Sequence, residues 1–300
     1  MTISKTQEDF RMGKLGASDV ASALGHNPYK SKAQLAGQLW GMTPPFQGTL
    51  ATRVGEHMES LILHEVNRSC LEGGSPFVNH GETVVADEMP WLICHPDGFR
   101  MQDGEKQLLE IKNVGPRATW NYDRDGTPPI WTMDQCLAQS FICEIPVVYI
   151  ASYHGGNDLR FKRLEFSQSN YSELEEKLFE FWHYVENHIT PPLEWNDAKT
   201  IQQLHPIPTV TQQTLVETKA EGVVAEYLKA KEEKKKAEQG LLKQEAIMKQ
   251  AMKDTEELVD DDGRVIFSYK NEKRGSKTNR VLRCKIKDED YAEVYRNKCI

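Results

Sequence analysis

Two acidic residues and a lysine carry the chemistry that can be read first. Asp97 stands in the run His95-Pro96-Asp97-Gly98, and after twelve further residues comes Glu110-Ile111-Lys112. The segment 108–112 reads as a strand, so alternation puts Glu110 and Lys112 on one face and Leu109 and Ile111 on the other. If the apolar strand at 91–95 pairs with it as a neighbour, Asp97 approaches the Glu110 side. Burying two carboxylates and an ammonium for stability alone makes little sense, because desolvation usually cancels the Coulombic gain. Two carboxylates with a backbone carbonyl suit a hard divalent ion such as Mg²⁺ or Mn²⁺. Such an ion polarises a phosphodiester and activates water. A lysine two residues after the acid can orient or deprotonate that water, or stabilise developing charge. The bare pattern of Asp, then Glu-x-Lys, arises by chance in many chains; the strand placement and the preceding proline single it out.

The elements that must position these residues form a mixed α/β pattern over 1–195. Helices are expected from Ser18 to Gly25, over 32–40 and over 52–67, the last with Val54, Met58, Leu61, Ile62 and Glu65 on helical spacing. Strands are expected at 83–86, 91–95, 108–114 and 147–153, and the last enters a hairpin through Gly155-Gly156-Asn157-Asp158. The apolar stretch 133–143 reads as a buried helix, and 169–188 as a long amphipathic one. Residues 196–213, polar with two prolines, read as a linker. Beyond it, 214–257 is a helical arm with a thin apolar seam and Gly240 as a hinge candidate. Two alternating strands follow, at 264–269 and 281–286, as a basic β-ribbon.

The 300 residues are ample for a core without disulfides or structural metals. No apolar stretch is long enough to cross a bilayer, and the first ten residues lack the apolar run of a secretion signal, so a cytoplasmic location in a bacterial or phage-infected bacterial cell is expected. Six cysteines at 70, 94, 136, 143, 284 and 299 form no C-x2-C pair, which speaks for reduced thiols rather than a zinc or iron–sulfur site. The net charge of −8 is uneven. Residues 1–195 hold 16 basic against 26 acidic side chains, whereas 263–287 hold nine basic and one acidic. An acidic total does not exclude nucleic acid, since a binding groove needs only a local positive potential.

Order and spacing together resemble the phage-type alkaline exonucleases, the YqaJ-like viral recombinase nuclease family with a PD-(D/E)-x-K core. The segment RMGKLGASDV, from Arg11 through Ser18 to Val20, is similar to the family's opening motif. Gly55 and Glu59 give its G-x-x-x-E, Asp97 and Glu110-Ile-Lys112 its metal motifs, and Gln135 with Gln139 its Q-x-x-x-Q. The resemblance covers about residues 10–190. It implies a restriction-endonuclease-like core, a central mixed sheet flanked by helices, over 1–195, with 214–300 left as an arm and ribbon whose role is not inherited.

Carried over residue by residue, the resemblance implies that Asp97, Glu110 and the carbonyl of Ile111 hold Mg²⁺ or Mn²⁺, two ions during turnover. Glu59 supports the second ion, Lys112 acts on the attacking water, and Gln135 positions water or the scissile phosphate. Arg11 and Ser18 resemble residues that bind the 5′-terminal phosphate. His95 stands where the family commonly has a small hydroxyl residue, and it can still donate to a phosphate. The implied activity is degradation of linear duplex DNA from a free end, 5′→3′, leaving 3′ single strands for a single-strand annealing protein. The implied assembly is a homo-oligomer, often a trimeric ring. Two other readings compete: a structure-selective endonuclease on the same core, and a non-catalytic DNA-binding or assembly protein. Trp120, Tyr122 and Trp131 flank the loop at 126–129; such an aromatic set can stack on bases, and anchoring the loop by packing is the simpler reading.

Overall fold

The computed structural model describes residues 13–43, 48–69, 74–79, 81–207, 221–260, 263–274 and 277–286. Arg11 lies outside them. The chain divides into two units, Met1–Pro208 and Thr209–Ile300.

The first unit opens with a two-residue strand, β1 (Leu15–Gly16), and a 3-10 turn over Ala17–Asp19 that runs into α1 (Val20–Leu24). Gly25 ends α1 at φ 80°, a left-handed conformation that favours glycine. Helix α2 (Lys32–Leu39) starts at Ser31, whose hydroxyl accepts from the Gln34 N–H while the Gln34 side chain accepts from the Ser31 N–H. Helix α3 (Leu50–Ser69) follows, and then five strands: β2 (Val78–Asn79), β3 (Val84–Val85), β4 (Leu92–Cys94), β5 (Gly98–Gln102) and β6 (Glu105–Val114). The remainder is α4 (Ile130–Cys143), the hairpin β7 (Val147–His154) and β8 (Asp158–Glu165), α5 (Gln168–Glu186) and α6 (Ala198–Leu204).

The main sheet runs β2-β5-β6-β7-β8. Only β6 and β7 are parallel, and α4 is the crossover such a pair requires. Strand β6 sorts its side chains as alternation dictates. Leu109 and Ile111 pack on Ile62 and Val66 of α3, whereas Leu108 packs on the opposite face with Cys136 of α4. Helices thus cover both faces of a mixed sheet, the α/β core expected. Ala138 and Ile142 of α4 also enter a second cluster with Leu92 and Cys94 of β4 and with Leu174, Leu178 and Phe181 of α5. No helix among the described residues is long and apolar enough to cross a membrane.

Three expectations change. The strand ahead of Asp97 does not pair with β6: β4 lies between β1 and β3 in a separate three-stranded sheet. The neighbour of β6 is β5, the strand that follows Asp97, which was not anticipated. Helix α4 begins at Ile130 rather than at 133, directly after Pro129, whose fixed φ suits a helix entry. The segment 196–213, read as a linker, opens with α6. Asp197 anchors it: its buried carboxylate accepts from the Ser31 hydroxyl at 2.5 Å and from the Glu194 N–H at 2.7 Å, and Thr200 and Leu204 are buried behind it.

The second unit holds α7 (Glu221–Met252) and a three-stranded antiparallel sheet of β9 (Glu257–Val259), β10 (Val265–Arg274) and β11 (Lys277–Cys284), in the order β11-β10-β9. Helix α7 passes through Gly240 without a break, so the hinge expected there is absent from the helix. The ribbon gains a third strand, and part of its basic charge is spent internally. Lys270 pairs with Glu257, Arg283 with both oxygens of Glu272, and Arg280 stacks 3.9 Å from the Tyr269 ring centre.

Replacing Asp197 with Ala strands the Ser31 hydroxyl and the Glu194 N–H. Chemical denaturation should show a loss of about 1–3 kcal/mol; an unchanged midpoint would mean that α6 does not stabilise the first unit.

Candidate active site

The register of the main sheet builds the site. Gly98 of β5 faces Leu109 of β6, so one step outward along the antiparallel pair sets Asp97 opposite Glu110. The Asp97 carboxylate accepts the main-chain N–H of Ile111 at 2.7 Å, which fixes it against the segment it faces. Gly98 is required at this approach, since a Cβ there would stand 3.0 Å from the Val78 carbonyl oxygen. Like charges directly opposite one another on neighbouring strands repel. Burial, and then Glu110, push the Asp97 carboxyl well above the usual carboxylate range.

Glu110 is buried and saturated with donors. Lys112 approaches its Oε1 at 2.6 Å, Gln135 donates to the same oxygen at 2.7 Å, and Gln139 donates to Oε2 at 2.6 Å. Lys112 also donates to the Gln135 Oε1 at 2.9 Å, which closes a triangle of Glu110, Lys112 and Gln135. Two consecutive rules of spacing meet here. Residues 110 and 112 share a face of β6, and residues 135 and 139, four apart, share a face of α4. Burial works against the Lys112 ammonium, but Glu110 beside it outweighs that and raises its pKa, so the side chain stays charged.

Glu59 lies half-buried on α3, on the same stripe as Ile62 and Val66, and its pKa is raised by burial and by Glu110. It feels the cluster electrostatically. Yet among the described residues no group of three or more Asp, Glu, His or Cys side chains is placed to hold a metal ion by itself. Asp97 and Glu110 therefore form the carboxylate pair, with Glu59 beside it. Ser18 is exposed on the 3-10 turn and lines a cleft of about 290 Å³ that also reaches Lys112 and Gln135. His95 sits half-buried in the connection from β4 to β5 and does not line that cleft.

Residues 8–145 match the family model described as the YqaJ-like viral recombinase domain. Every member of the cluster, together with Ser18 and Glu59, falls inside the matched segment, while β7, β8 and α5 lie beyond it. Among solved structures the chain is similar to an alkaline exonuclease from Laribacter hongkongensis, at 21% identity and TM-score 0.49 over 61% of this chain and 94% of that one. It is also similar to a phage-related exonuclease from Haemophilus somnus (11%, TM-score 0.43, 59% and 95%) and a putative exonuclease from Eubacterium rectale (11%, TM-score 0.44, 74% and 99%). No curated protein matches the sequence.

Within the matched segment, Gln139 is the contact for which the sequence suggested no role. Its four-residue spacing from Gln135 was the available signal, and the packed structure turns it into a donor to Glu110. Replacing Asp97 with Asn removes one of two opposed charges and keeps an oxygen for the Ile111 N–H. In chelator the variant should be more stable by about 1 kcal/mol, a rise in melting temperature on the order of 2–4 °C. A lower melting temperature would show that Asp97 is not under repulsion.

Proposed function

We propose that this chain is a divalent-metal-dependent deoxyribonuclease that degrades linear duplex DNA from a free end, 5′→3′, leaving 3′ single strands for strand-annealing recombination. The observation that carries the reading is the placing of Asp97 opposite a buried Glu110 that has Lys112 pressed against it. The match of residues 8–145 to a viral recombinase family model supports a DNA substrate.

The donor chemistry fits a hard cation. Asp97 and Glu110 bring two carboxyl groups to one place beside the single ammonium of Lys112, and the amides of Gln135 and Gln139 are neutral. Asp97, Glu110 and the main-chain carbonyl of Ile111 would hold Mg²⁺ or Mn²⁺, with Glu59 taking a share in a second ion. The bound ions supply charge neutralisation at the phosphodiester and a lowered barrier for attack by water.

The protein's own part is positioning. Glu110 holds the Lys112 ammonium, so Lys112 acts as a donor and a positive charge rather than as a base. Two of its three N–H groups go to Glu110 and Gln135, and the third is available to the cleft it lines. Gln135 is oriented from both sides, its carbonyl by Lys112 and its amide by Glu110, and so presents a fixed edge to the phosphate. Ser18, at the far wall of the same cleft, would donate its hydroxyl to a 5′-terminal phosphate. A homotrimeric ring around the duplex and a single-strand annealing partner belong to the same reading.

The test is linear duplex, with and without a 5′ phosphate, against a covalently closed circle in Mg²⁺. Linear DNA should shorten from its 5′ ends and the circle stay intact; a cut circle would make the chain an endonuclease, and no product from either would leave a binding protein. Lys112→Ala should lower the rate by roughly 10²–10⁴-fold. Mg²⁺ should raise the melting temperature of the natural chain, and Asp97→Ala should remove that response.

A further inference from the structure

The cleft beside Lys112 has a wall that the nuclease chemistry leaves unused. It holds about 290 Å³, close to the lower end of small-ligand sites, which run from about 300 to 1,000 Å³. That is room for one nucleotide and far too little for a duplex. Its lining includes Ser18, Lys112 and Gln135 together with the rings of Tyr29, Tyr122 and Trp131. Among the described residues no carboxylate lines it, although the chain as a whole is acidic, and Lys112 is the one charged lining residue among them.

Helix α4 spaces these groups. Trp131 and Gln135 are four residues apart and share a helix face, separated along the axis by about 6 Å. The indole therefore stands one turn from the amide that contacts both Glu110 and Lys112, which leaves space for a sugar between a phosphate at Lys112 and a base on the ring. Tyr29 meets Trp131 edge to face, with ring centres 6.2 Å apart and an interplanar angle of 80°. Tyr29 is 73% exposed, and neither ring belongs to a core cluster. Tyr122 differs: it packs in the cluster around Cys136 and meets the His154 ring edge-on, so the anchoring role falls to it. The Tyr29 loop is fixed beforehand, since Asn27 accepts the Tyr29 N–H at 2.9 Å and donates to Ser22 at 2.9 Å.

We propose that Trp131 and Tyr29, set nearly at right angles, form a corner clamp for the unpaired base of the 5′-terminal nucleotide. The base stacks on the indole face and abuts the Tyr29 ring, with the nucleotide's own phosphate toward Ser18 and the next phosphate at Lys112. The clamp rests on the nuclease reading for which strand enters. Stacking is tolerant of sequence because every base offers a π face, so the site would accept any terminal base once it has left the duplex.

The probe is a short 5′-phosphorylated oligothymidylate with a fluorophore at its 3′ end, titrated with the full chain in chelator, where nothing is hydrolysed, and read by anisotropy. Trp131→Ala should weaken binding about tenfold, and Trp131→Phe should restore most of it. An oligonucleotide with an abasic 5′-terminal residue should bind the natural chain as weakly as Trp131→Ala binds the intact one, and the variant should lose nothing further on it. Full additivity of the two changes, an unchanged affinity in Trp131→Ala, or no binding by the natural chain would each overturn the clamp. Should Trp131→Ala fail to fold, Tyr29→Ala at an exposed ring takes its place, with the same dependence on the terminal base and an unchanged melting temperature. Cleavage of linear DNA with these affinities unmoved refutes the clamp alone. A base-dependent clamp without any cleavage refutes the nuclease reading alone.

Discussion

Two carboxylates facing each other across neighbouring strands repel, and the first unit is arranged around containing that repulsion. Asp97 is pinned by a main-chain N–H, and Glu110 by an ammonium and two amides. The compensating groups come from two parts of the chain: the Ile111 N–H and Lys112 from the strand itself, and Gln135 and Gln139 from the crossover helix. A buried polar set of this kind holds its geometry only if every donor stays in place, because an unpaired member in a low-dielectric interior is costly.

Strand β6 divides the labour between its two faces. Leu109 and Ile111 bury their apolar surface against α3 and hold the strand in the sheet, while Glu110 and Lys112 turn toward α4. Helix α4 repeats the division at helical period. Cys136, Ala138 and Ile142 pack into apolar clusters, and Gln135 and Gln139 turn their amides to the carboxylate. The same period sets Trp131 one turn from Gln135 along the cleft, so one short helix orders the whole approach from Ser18 to Glu110.

Much of this arrangement could be read from the chain, for a physical reason. Alternation in 108–112 fixes faces whatever the partners are, so the grouping of Glu110 with Lys112 and the packing of Leu109 with Ile111 were legible. The pairing was not. Residues 91–95 look like the better strand because the four from Trp91 to Cys94 are uniformly apolar, whereas Gly98-Phe-Arg-Met-Gln mixes a glycine, a cation and an amide. That cation is buried in the folded unit, with Arg100 bonded to Gln107 at 2.8 Å and lying over the rings of Phe77 and Tyr149, a set of contacts no local pattern encodes. Helix α6 was hidden in the same way. Its seven residues bury only Thr200 and Leu204, and its anchor, Asp197, gains its meaning from Ser31, 166 positions away. The basic count over 263–287 was correct as a sum and already held Glu272, but it was blind to Glu257, outside that window, and to the pairing of both acids with Lys270 and Arg283 across the strands.

The connection His95-Pro96-Asp97 is where the chain leaves one sheet and enters the other: β4 belongs to the small sheet and β5 to the large one. Asp97 thus stands on a bridge between two separately packed layers, while Glu110 is embedded wholly in one of them. Helix α4 is wedged against both, through Ala138 and Ile142 on one side and Cys136 on the other. Helix α4 therefore ties together the two layers that carry the carboxylates, so any shift between those layers moves Asp97 relative to Glu110.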